Sequence, residues 1–123
     1  MRVLVLADDL IWSTRLIAQV RATGAEAAPV RSLAGLDEGL LAADAVIVDL
    51  TARAYDGVAA VQTAADAGRR VLAVGQHDDA DLRHRALAAG ADRVLAYRKL
   101  FDDGPATLTE WLQGAPPRAG PSA

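Results

Sequence analysis

Three aspartates fall where this chain would end its strands. Asp8 and Asp9 follow the apolar run "RVLVLA", and Asp49 closes "AVIVD". Clustered carboxylates repel one another and are relieved by a cation. Mg2+ suits them, because it takes oxygen ligands, keeps several waters and often sits on one or two carboxylates beside a phosphate. A carboxylate next to such an ion also serves as a nucleophile that forms an acyl phosphate. The plainer reading is helix capping, with Asp8 or Asp9 at the start of the first helix and Asp56 at the start of the third. Gly75, His77, Tyr97, Arg98 and Lys99 stand at the ends of two further strands. His77 reads either as an exposed loop residue or as a hydrogen-bond partner for Asp49 or a ligand. Arg98 reads either as solvated or as a guanidinium paired bidentately with Asp49. Tyr97 reads as a roof over the same pocket.

The elements that position these groups follow from periodicity. Strands are expected at "RVLVLA", "AEAAPV", "AVIVDL", "RVLAVG" and "DRVLAY". The second is weak and placed at an edge by Pro29. Helices are expected at "LIWSTRLIAQVRAT", "LAGLDEGLLAA", "DGVAAVQTAADAG", "DADLRHRALAAG" and "PATLTEWLQ". Ile11, Trp12, Leu16, Ile17 and Val20 share one face of the first, so Trp12 reads as core. Gly24, Gly68 and Gly90 stop three of the helices, and Pro105 opens the last. Five βα units with near-continuous apolar strands imply an α/β fold: a parallel sheet with right-handed crossovers and helices on both faces. In such a sheet function gathers outside the carboxyl ends of the strands. Residues 1–113 form the domain, and the Pro/Gly-rich residues 114–123 read as a flexible tail.

The length of 123 residues fits one domain. There is no cysteine, which excludes disulfides and thiolate metal sites. The first apolar run is too short for a signal peptide or a membrane span, so a cytoplasmic protein with no membrane partner is expected. A net charge of −3 argues against a nucleic-acid partner. Neither a G-x-G-x-x-G nor a Walker sequence occurs, which weakens a phosphate-binding enzyme.

The chain resembles the response regulator receiver domain. "VIVDLTARAYDG" keeps that family's spacing from the acceptor aspartate to the Asp-Gly of the third helix, and "HDDADLRHRALAAGAD" is similar to its fourth helix and the lead into strand five. The resemblance implies a flavodoxin-like, doubly wound five-stranded sheet in order 2-1-3-4-5. It makes Asp49 the phosphoacceptor and Asp8 a magnesium ligand, with Asp9 the alternative if strand one ends in a bulge. The departures are as informative. Ala7 stands at one of the two strand-one acid positions. Gly75 replaces the strand-four hydroxyl, Tyr97 the strand-five lysine, Arg98 the following proline and Val94 the switch aromatic, and Ala52-Arg53 replaces Met-Pro. A phosphoryl group on Asp49 therefore lacks a hydroxyl and an ammonium, worth about 1.5–3 kcal/mol each.

The expectation is a stand-alone, degenerate receiver that is not an enzyme, has no firm cofactor and binds Mg2+ weakly. It acts by protein–protein contact, with a partner or a second copy. The contact face is expected on helix four, strand five and helix five, where a short last helix leaves Leu108, Trp111 and Leu112 partly exposed. The alternatives are a divergent receiver still phosphorylated on Asp49, and a small flavodoxin-like ligand-binding module or enzyme.

Overall fold

Strands whose side chains are buried on both faces need a layer of helices on each side. The computed structural model, which describes residues 1–76 and 78–114, shows how this chain supplies them. The elements run β1 (Arg2–Leu6), α1 (Leu10–Ala22), β2 (Glu26–Val30), α2 (Leu33–Gly39) with a 3-10 turn at Leu40–Ala42, β3 (Ala45–Asp49), α3 (Gly57–Asp66), β4 (Arg70–Gly75), α4 (Ala80–Ala88), β5 (Arg93–Ala96) and α5 (Tyr97–Gln113). The sheet is parallel throughout, in order β2-β1-β3-β4-β5, as expected. His77 and residues 115–123, which include nearly all of the expected tail, lie outside the described residues.

Alternate residues of each strand feed two cores. Leu4, Leu6, Val46, Val48, Val71 and Ala73 pack with Leu36 and Leu40 from the α2 region, Val61 of α3 and Ala86 of α4. Val3, Val5, Ile47, Leu72 and Val74 pack with Leu16 and Val20 of α1 and Leu100, Leu108 and Trp111 of α5. Each fully buried aliphatic side chain contributes roughly 1.5–3 kcal/mol. Asp9, Ser32, Asp56 and Asp79 cap α1 to α4 through their side chains. Gly90 closes the α4 region at φ 117, with Ala65 so near that an added Cβ would lie 2.5 Å from its methyl group.

Three expectations change. β5 ends at Ala96 and α5 starts at Tyr97, not at Pro105. The helix is broken inside, where Asp103 leaves helical geometry at φ −153, ψ 40. Second, Leu108 (0% exposed) and Trp111 (2%) are core residues and only Leu112 is partly exposed, so the exposure on which the expected contact face rested is absent at the first two. The longer helix lays Leu100, Thr107, Leu108 and Trp111 along the sheet, and the Trp111 indole donates to Asp92 at 3.2 Å. Third, Trp12 is half-buried and Ile11 exposed. The buried stripe of α1 is Ser13, Leu16 and Val20, which turns Leu10 and Ile11 outward.

Candidate functional site

All five residues of β3 are buried, and the last is Asp49, 1% exposed. A carboxylate delivered there must find donors, because a buried charge without partners is strongly disfavoured. Thr51 supplies two of them to Asp49 Oδ1, its backbone N–H at 2.9 Å and its hydroxyl at 2.8 Å. The Tyr97 hydroxyl donates to the same oxygen. The two hydroxyl oxygens lie 3.0 Å apart. Burial first, and the bond to Asp49 next, push the Tyr97 phenol far above its ordinary range, so it stays protonated and donates.

Tyr97 reaches Asp49 because α5 follows β5 without a loop. Its ring lies against Trp12, with centroids 3.9 Å apart, and Trp12 also meets Phe101 at 5.2 Å. The Arg15 guanidinium stands 5.2 Å from the Phe101 ring. Below the site Tyr55 is buried, and its hydroxyl lies between the carbonyls of Leu6 (2.9 Å) and Asp49 (2.8 Å), tying the ends of β1 and β3 together.

The strand-one acids are spent on the backbone. Asp9 Oδ1 accepts from the N–H groups of Ile11 and Trp12, which makes it the cap of α1. Asp8 Oδ2 accepts from Arg53 N–H at 2.9 Å and Ala54 N–H at 3.0 Å, pinning the loop after β3. Those two bonds hold the Asp8 carboxyl below its usual value. Among the described residues no group of three or more His, Cys, Asp or Glu side chains is placed to hold a metal. One oxygen of each carboxylate carries N–H or hydroxyl donors, so an ion here would compete with those bonds or take the second oxygens.

Gly75 closes β4, buried, and a Cβ there would meet Leu50 at an ordinary 3.6 Å. The position has room for a side chain and carries none. Arg98 does not enter the pocket. Its side chain is 90% exposed and faces Asp102 at 4.0 Å, because the helix turns it outward one residue after Tyr97. His77 lies outside the described residues. Sequence reasoning missed Thr51 and Tyr55. A threonine two residues after an aspartate was the available signal for Thr51, since Asx and Ser/Thr turns form at that spacing. A separate cavity of about 260 Å3, lined by Met1, Thr23, Gly24, Ala25, Thr109, Leu112 and Gln113, lies at the amino ends of β1 and β2.

No family model and no curated protein matches the sequence. Solved structures do match it. The BeF3-activated DrrB receiver domain is similar with a TM-score of 0.80 over 92% of this chain and 97% of its own, at 14% identity. A two-component response regulator from Clostridium difficile has a TM-score of 0.80 over 92% and 96%, at 12% identity. A Burkholderia pseudomallei response regulator with a phosphorylated aspartic acid, calcium ion and citrate has a TM-score of 0.71 over 91% and 66%, at 19% identity. The fold is therefore that of response regulator receiver domains. Among the described residues no helix is long and apolar enough to cross a membrane.

Proposed function

We propose that this chain is a receiver-like signalling module that acts by contact with another protein, and that Asp49 is not phosphorylated in its working cycle. The observation that carries the reading is the Asp49 carboxylate, buried and bonded by Tyr97 and Thr51 through one oxygen. A phosphoryl group needs a nucleophile, a metal and fixed donors or cations for its oxygens, since phosphoryl transfer is mostly positioning and electrostatics. Here the nucleophile is engaged and Gly75 offers no hydroxyl. Tyr97 offers a neutral proton donor where the resemblance places an ammonium. Asp8 and Asp49 together bind Mg2+ weakly. At this edge Asp8, Asp9 and Asp49 each already accept hydrogen bonds, which favours a contact module over an enzyme.

Beryllium trifluoride, which activates the DrrB receiver domain, tests the reading. Fluorine NMR of this protein with BeF3− and millimolar Mg2+ should show no bound signal. A bound signal that disappears in Asp49→Asn would favour a divergent phosphorylated receiver instead.

A further inference from the structure

Helix α5 is two pieces with separate anchors. Residues 97–102 are held by the Tyr97 hydroxyl on Asp49, by the Tyr97 ring on Trp12 and by buried Leu100. The rest is held by Thr107, Leu108 and Trp111 in the core. Between them Asp103 is non-helical and Pro105 lacks the N–H that would bond to the Phe101 carbonyl. Gly104 is buried against α1, and a Cβ there would fall 1.5 Å from Gln19 Oε1. That oxygen is itself buried without a hydrogen-bond partner, so it places no bond across the break. A helical piece of six residues is not self-supporting in water. Its order comes from its anchors.

We infer that residues 97–102 are a strap closed over Asp49, latched by the Tyr97 hydroxyl and hinged at Asp103–Gly104. With the latch made, the strap covers the carboxylate and packs Tyr97 and Phe101 against Trp12. With the latch broken, the strap lifts between its two tethers, Ala96 at the end of β5 and the break at Asp103–Gly104, while the second piece of α5 stays on the sheet. Opening uncovers Asp49 and frees the aromatic faces of Trp12 and Phe101 together, so the state of one carboxylate is reported at the surface beside α1. The inference does not depend on whether Asp49 is ever phosphorylated, since its test reads motion alone.

The experiment is residue-resolved amide hydrogen exchange on the full chain, comparing wild type with Tyr97→Phe, which keeps the ring and removes the latch. Loss of a charge-assisted hydrogen bond predicts exchange at least about tenfold faster at Phe101–Asp103. Thr107–Gln113 and β3 should keep wild-type rates. Asp49→Ala, which removes the acceptor, should loosen the same residues. Thr51→Val, which removes the neighbouring donor, should not. Unchanged exchange in the strap of both latch variants, acceleration across all of α5, or equal loosening by Thr51→Val would overturn the proposal.

Discussion

A buried carboxylate is either neutralised or supplied with donors. At Asp49 this chain supplies donors: one N–H and two hydroxyls meet the same oxygen. A phenol satisfies a carboxylate without cancelling its charge, which is the difference Tyr97 makes against a lysine. Asp8 shows the same economy on the other side of the site, with backbone N–H groups as its partners. Its carboxyl is held below 3.8 in the folded chain, by Arg53 N–H first and Ala54 N–H second. As pH falls, the unfolded chain therefore takes up the proton first. The stabilisation is complete above about pH 5 and is lost as pH drops through the lower folded value. Urea melts from about pH 6 to about pH 3 should show Asp8→Asn less stable at the upper end and less pH-sensitive below it. Identical slopes in the two proteins would contradict the role given to Asp8. That Asp8, Asp49 and Tyr97 would stand at the carboxyl edge of the sheet was legible from their positions at strand ends. The partners they choose were not, because whether Asp8 binds a metal or two N–H groups depends on how the loop at Arg53–Ala54 returns to it.

Nearly every element was legible, because strand composition and capping residues agree with the fold. Asp56 and Asp79 precede their helices as side-chain caps, and Pro29 lies in the edge strand. The exception is the passage from β5 to α5. "YRKLFDDG" has no strong helical stripe of its own, and Pro105 reads as a beginning. The structure instead runs helix straight from Ala96, because Tyr97 and Leu100 find anchors that local sequence does not reveal. This also moves Trp111 from the surface to the core. Trp111→Ala should therefore lower stability by about 3–5 kcal/mol, read by denaturant unfolding. It should leave the oligomeric state seen by light scattering unchanged. A loss under about 1 kcal/mol, with dissociation of an oligomer, would restore the interface reading.

As a whole, the molecule is a parallel sheet whose carboxyl edge is closed by its own side chains. Order β2-β1-β3-β4-β5 brings the ends of β1 and β3 together, where Tyr55 bonds both, and places β4 and β5 next to them with Gly75 and Tyr97. The site is thus assembled from four strands that are far apart in the chain, and its closure depends on all of them folding. A metal that joins this site weakly adds little to that. With a dissociation constant no tighter than about 1 mM, Mg2+ at the same concentration raises unfolding free energy by less than about 0.4 kcal/mol. A thermal scan showing several degrees of Mg2+ stabilisation, lost in Asp8→Asn, would mean that the acids form a real ion site. Asp49, satisfied by Tyr97 and Thr51, should take no phosphoryl group. Intact mass after incubation with acetyl phosphate and Mg2+ tests it most directly. The wild-type chain should keep its own mass. A stoichiometric gain of about 80 Da, the mass of one phosphoryl group, absent in Asp49→Asn, would contradict it.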